Sequence, residues 1–133
     1  MIATPYYNID LSKLQKNLAS LRAAFETLWP NFQVGYSYKT NNLPWLVRWM
    51  HEQGVMAEVV SEPEYELATY VGNQPHNIIL NGPHKGLSNL LLALKNGSIV
   101  NLDSFAEIDF IEENIKSFTH DIKVGLRINF DLE

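Results

Sequence analysis

The chain has 133 residues, 46% of them hydrophobic and 19% charged, which is the composition of a globular domain with a substantial core and excludes wholesale disorder. A formal net charge of −5 argues against nucleic acid or an anionic membrane as partner, and the absence of cysteine excludes a disulfide scaffold and a thiolate metal site. No basic-then-apolar leader is visible at Met1–Tyr6 and no apolar run approaches the ~20 residues of a membrane span, so the expectation is a soluble, cytoplasmic protein.

In chain order, Tyr6-Tyr7-Asn8-Ile9 reads as a short strand. Asp10 or Ser12 can then cap a helix whose apolar stripe is Leu14, Leu18, Leu21 and Phe25, ended by Pro30-Asn31. From Phe32 a unit repeats in architecture though not in residues. Strands are predicted at Gln33–Tyr38, Met56–Val60, Asn77–Leu80, Ile99–Leu102 and Lys123–Phe130. Helices are predicted near Leu43–Gln53, Pro63–Val71, Leu87–Asn96 and Phe105–Ile115. Glycine or asparagine closes the first three of them at Gly54, Gly72-Asn73 and Asn96-Gly97. Ser61 with Glu64, and Ser104 with Glu107, have the spacing of capping boxes.

Strands alternating with helices give a parallel sheet, in a (β/α) barrel or an open doubly wound sheet. A complete barrel needs eight strands and about 250 residues. Five strands, the last with no covering helix, therefore predict an α/β piece of a larger fold, a partial TIM (β/α)8 barrel.

Such folds place chemistry at the C-terminal strand ends. Those ends carry Lys39 with Asn41, Glu58 with Ser61, Asn81 with Gly82-Pro83-His84-Lys85, Asp103 with Ser104, and Arg127 with Asn129. Lys39 is placed to point its amine into the mouth formed by the strand-to-helix loops, where a desolvated amine can form an imine with a carbonyl. Taken alone, a lysine is more often solvated. Arg127, in an apolar strand, must face an anion or be paired, because an unpaired buried charge is costly. Glu58 could pair with Arg127 or with Lys39. Asp103-Ser104 reads as a helix N-cap, His84 as a surface histidine, and Trp45 with Trp49 as core or subunit contact. Four histidines without ligand spacing predict no metal site.

These segments resemble, in order, the N-terminal barrel domain of the fold-type III pyridoxal-phosphate decarboxylases, the relatives of diaminopimelate and ornithine decarboxylase. Tyr36-Ser37-Tyr38-Lys39-Thr40-Asn41 is similar to the family's Tyr-Ala-x-Lys-Ala-Asn signature, and Glu58-Val59-Val60-Ser61 to its Asp-Val-Val-Ser. Thr4-Pro5-Tyr6-Tyr7, Ile79–Lys85, Val100–Ser104 and Gly125–Asn129 resemble its opening and its third, fourth and fifth strand segments.

The resemblance implies pyridoxal 5'-phosphate as cofactor, with Lys39 as the Schiff-base lysine. Arg127 matches the arginine beside the cofactor, and Glu58 stands where the family has aspartate. It implies an amino-acid substrate of the diaminopimelate, ornithine or lysine type and a homodimer in the full-length protein. Residues 1–133 are then the N-terminal portion of the barrel domain, without its later strands, its glycine-rich phosphate loop and the C-terminal β domain. These 133 residues alone are accordingly expected neither to hold the cofactor tightly nor to decarboxylate. An alanine-racemase-type protein shares barrel and lysine, but its signature continues Ala-Asn-Ala-Tyr-Gly-His where this chain reads Thr40-Asn41-Asn42-Leu43-Pro44. A further alternative is a non-catalytic half-barrel that only self-associates.

Overall fold

The computed structural model describes residues 8–128. It divides into two compact units, residues 1–33 and 34–133.

In the first unit Asp10 caps α1 (Leu11–Leu28), its carboxylate accepting from the Lys13 N–H at 3.0 Å. The other candidate cap, Ser12, lies inside the helix. No residue of α1 is buried, and the stripe residues Leu21 and Phe25 remain exposed. Phe25 stacks on Phe32 with ring centroids 5.2 Å apart. Of the strand expected over residues 6–9, Asn8 and Ile9 are irregular, and Tyr6 and Tyr7 lie outside the described residues.

The second unit is one parallel sheet with helical crossovers. Its elements are β1 (Gly35–Ser37), α2 (Pro44–Glu52), β2 (Met56–Val59), α3 (Glu62–Tyr70), β3 (Ile78–Leu80), α4 (Leu87–Lys95), β4 (Ile99–Leu102), α5 (Phe105–Asn114) and β5 (Lys123–Leu126). The strands lie side by side in chain order, all parallel. Every predicted strand and helix from Gln33 onward is present, with ends shifted by a few residues. The last strand was expected to reach Phe130; β5 ends at Leu126, and Asn129 and Phe130 lie outside the described residues.

Register divides the strand residues between two faces. Ala57 and Val59, Ile78 and Leu80, and Val100 and Leu102 pack with helix residues Val47, Ala68, Leu90, Leu94 and Ile111 into one buried cluster. Each fully buried valine, leucine or isoleucine there contributes roughly 1.5–3 kcal/mol. The opposite face carries Ser37, Glu58, Ile79, Ile99 and Asn101, all only half-buried. One face is thus an apolar helix-covered core, and the other, more polar and half-buried, is the face that turns inward when such a sheet closes into a barrel.

The helix ends follow from local chemistry. At Gly97, after α4, φ is +87°, a left-handed conformation that favours glycine. Ser104 accepts from the Glu107 N–H at 3.3 Å, and the Glu107 carboxylate reaches back to the Asp103 N–H at 2.8 Å. At the start of α3 the Glu64 carboxylate takes the Val60 N–H at 2.9 Å, while the Ser61 side chain makes no capping bond. Both glutamates therefore fix the residue before the cap, which is where β2 and β4 leave the sheet.

Candidate active site

β1 ends in a tight turn. The Thr40 N–H and hydroxyl both donate to the Ser37 carbonyl, at 3.3 and 2.7 Å. The Asn41 side chain accepts from the Leu43 N–H at 3.2 Å, and the Tyr36 hydroxyl donates to the Asn41 carbonyl at 3.1 Å. Pro44 then opens α2 at a position where a missing N–H costs nothing. Lys39 sits in this pinned turn. It is exposed, and among the described residues its ammonium has no hydrogen bond or ion pair. The expected desolvation of the amine is not found, because the residue this turn buries is Tyr38, 1% exposed.

The Tyr38 hydroxyl accepts from the Asn73 side chain at 3.3 Å. Burial pushes its pKa up to about 12, against the lowering effect of that hydrogen bond, with Tyr36 adding a small upward push. A phenol whose folded pKa exceeds its unfolded value of 10.0 favours folding fully below pH 10, and that contribution is lost as pH rises through 12. Raising the pH across this window should lower stability by at most about 2–3 kcal/mol, at about 1.4 kcal/mol per pH unit and less where solvent screens the phenolate. Denaturant midpoints at successive pH values read the loss, which Tyr38→Phe should remove.

On the polar face, Ser37 and Glu58 are register partners on adjacent strands. The Asn81 amide, just past β3, donates to Glu58 Oε1 at 3.0 Å. Among the described residues, Ser37 Oγ and Asn81 Oδ1 are buried without a hydrogen-bond partner. Buried polar atoms in a folded protein are normally satisfied, and these two lie close to Glu58 on the polar face. The loop then turns at Gly82, where φ is +99° and an added Cβ would lie 3.1 Å from Val60 Cβ.

Past this loop lies a group that the sequence reading did not single out. Lys85 is 4% exposed. Its ammonium donates to the Gly82 carbonyl at 2.6 Å, and it lies 3.1 Å from Asp103 Oδ2 and 2.9 Å from Glu107 Oε1. Three donors meet three acceptors, the condition for burying an ammonium. The other carboxylate oxygen of Asp103 faces Arg127 Nη1 at 3.6 Å. Asp103 is therefore more than the neighbour of an N-cap. The only sequence signal was its place at a strand end with Glu107 four residues on.

The expected neighbours are partly rearranged. Among the described residues Glu58 pairs with neither Lys39 nor Arg127; Asn81 holds it. Arg127 pairs with Asp103 instead, because β4 is the strand beside β5 whereas β3 and β4 separate β2 from β5. Arg127 is also less enclosed than a central-strand position implies. It lies one residue past β5, an edge of this sheet, and its side chain is 53% exposed. Lys39 and Glu58 thus share adjacent strand ends, while Arg127 stands at the opposite edge. His84 is exposed as expected. Trp49 is buried in α2, but Trp45 is 51% exposed. A mostly apolar cavity of about 230 Å³ lies beside the end of β5, lined by Leu102, Phe105, Ile108 and Leu126 and also by Asp103 and Arg127. No helix of the described residues is long and apolar enough to cross a membrane.

The family model for the pyridoxal-binding domain of pyridoxal-dependent decarboxylases matches residues 11–133. The probable chloroplastic diaminopimelate decarboxylase of Oryza sativa subsp. japonica is 34% identical over 130 residues, covering 98% of this chain and 26% of that protein. Diaminopimelate decarboxylase of Bacillus subtilis is 31% identical over 132 residues, covering 98% of this chain and 30% of that protein. The crystal structure of diaminopimelate decarboxylase from Helicobacter pylori complexed with L-lysine superposes with a TM-score of 0.85 at 26% identity, over 96% of this chain and 32% of that one. The chain spans about a quarter to a third of the length of these relatives. Five parallel strands in chain order, a lysine in the turn after the first, and a family match over nearly the whole length make this chain a member of the pyridoxal-dependent decarboxylases, corresponding to the N-terminal part of their pyridoxal-binding barrel domain.

Proposed function

We propose that the full-length protein is a pyridoxal-phosphate-dependent amino-acid decarboxylase and that Lys39 is the residue that binds the cofactor covalently. The observation that carries this reading is Lys39 itself: a lysine in a pinned turn at the C-terminal end of the first strand, without a hydrogen bond or ion pair among the described residues. The residues present fit the group. An accessible amine suits an aldehyde, and the orphaned Ser37 Oγ and Asn81 Oδ1 beside Glu58 suit a polar ring substituent. Bound pyridoxal phosphate supplies an electron sink for the electron pair left when carbon dioxide departs.

The chain's own residues bind and orient. The Thr40 and Asn41 bonds hold the Lys39 turn at a fixed height above the sheet. Asn81 holds one Glu58 oxygen, leaving the other to accept a proton or a hydrogen bond at the rim. The glutamate reaches one methylene further than the family's aspartate, and Asn81 fixes that longer side chain. Arg127 presents a permanent positive charge to an anionic group from the opposite edge, toward which a barrel wall curls.

The substrate class is a basic or diamino acid. Two solved relatives support this, one described in complex with L-lysine and one arginine decarboxylase described as bound to agmatine. On this reading further sequence completes the barrel and adds a β domain, and the protein is a cytoplasmic homodimer.

Borohydride reduction of the full-length gene product with bound pyridoxal phosphate, followed by peptide mapping, tests the assignment. Cofactor should be fixed on Lys39 at near-stoichiometric yield. Label on another lysine would refute it.

A further inference from the structure

Lys85 is buried, charged and unused by the reading above. We infer that Lys85 is a positioning residue: together with Glu107 it fixes Asp103, and through Asp103 it holds Arg127 at the rim. The inference rests on Arg127 being the rim cation of the proposed site.

Asp103 lies at the neck between β4 and α5, and it is held on two sides. Its N–H is taken by Glu107 Oε2 at 2.8 Å, and its Oδ2 lies 3.1 Å from the Lys85 ammonium. Its Oδ1 has no hydrogen bond among the described residues and faces Arg127 at 3.6 Å. One oxygen is thus locked inward and the other is presented outward at a fixed height. The charges agree with this division. Two carboxylates against one ammonium leave one buried negative charge, which the Arg127 guanidinium offsets.

The Arg127 backbone is already anchored, its N–H donating to the Leu102 carbonyl at 3.0 Å. Its half-exposed side chain would otherwise sample many rotamers. An ion pair this exposed adds little to stability, so what the arrangement provides is direction. Lys85 acts without touching a ligand: it keeps Asp103 aimed.

The test is the rate at which phenylglyoxal modifies Arg127, followed by peptide mass mapping on the full-length gene product without added pyridoxal phosphate. Arg48, exposed on α2, is the internal reference. Asp103→Asn should raise the Arg127 rate about 2–5-fold relative to Arg48, the factor that corresponds to the coupling of an exposed pair. Lys85→Met should raise it by a similar factor, yet add nothing in the Asp103→Asn background. A purely structural role for Lys85 would instead raise Arg48 and Arg127 alike and would add to Asp103→Asn.

An unchanged Arg127 rate in Lys85→Met, or additive effects, overturns the inference. Should Lys85→Met fail to fold, Glu107→Gln carries the same comparison with the same two outcomes. Borohydride labelling of Lys39 is read separately. Loss of that label with the Arg127 response intact would sink the proposed function alone.

Discussion

Lys39→Ala in the full-length gene product is expected to lower turnover on the order of 10⁴-fold while leaving stability within about 0.5 kcal/mol. The two halves of this expectation have separate grounds. The loss of turnover follows from the covalent role, since no other lysine lies in the β1–α2 turn. The unchanged stability follows from the observed geometry. Lys39 is exposed and makes no hydrogen bond or ion pair among the described residues, and the turn that carries it is closed by Thr40, Asn41 and Tyr36.

Lys39→Arg sharpens the test. A guanidinium keeps the charge but stays protonated and cannot take the place of a nucleophilic amine. It should be as inactive as alanine. If arginine restored turnover, Lys39 would be an electrostatic residue and the assignment would fail. Steady-state kinetics beside a denaturation curve for each variant decides between these outcomes.

Much of this site can be read from the sequence because it depends on local signals. Strand-then-turn at Phe32–Asn42 places Lys39 at a rim whatever the rest of the chain does. The Ser104–Glu107 spacing predicts the start of α5 for the same reason. Strand ends are less legible. β1 ends formally at Ser37, yet the ladder continues on both sides of it, through Met56 N–H to the Val34 carbonyl and Tyr38 N–H to the Glu58 carbonyl, both at 2.9 Å. The predicted span Gln33–Tyr38 is close to that full set of bonds.

Pairing between distant segments is where sequence fails. Glu58 had two cationic candidates, and strand order decides against Arg127 because β3 and β4 lie between them. Lys85 is the clearer case. It stands in a Gly-Pro-His-Lys turn beside His84, which is exposed as a turn residue ordinarily is. Its burial depends on two carboxylates of the next β–α unit arriving at 3.1 and 2.9 Å, a coincidence that only the folded sheet brings about.

That burial leads to the largest expected effect on stability. Lys85→Met is expected to destabilise the barrel domain by about 3–5 kcal/mol, the range for breaking a buried pair by removing one partner. Methionine fills much of the space, so the cost is electrical rather than a cavity. Asp103 and Glu107, with side chains only 8% and 9% exposed, would face each other with no ammonium between them. Only the half-exposed Arg127 would remain to offset two charges, and solvent screens that contact. The Gly82 carbonyl would also lose its donor.

The sign of the coupling separates this account from a simple packing defect. Adding Glu107→Gln to Lys85→Met restores neutrality between Asp103 and Arg127. The double variant should therefore be less destabilised than the sum of the two single changes, by roughly 1–3 kcal/mol. If the losses add, the three groups are not electrically coupled and packing alone explains the cost. Chemical denaturation of the four proteins, with the same midpoint analysis for each, reads the difference directly.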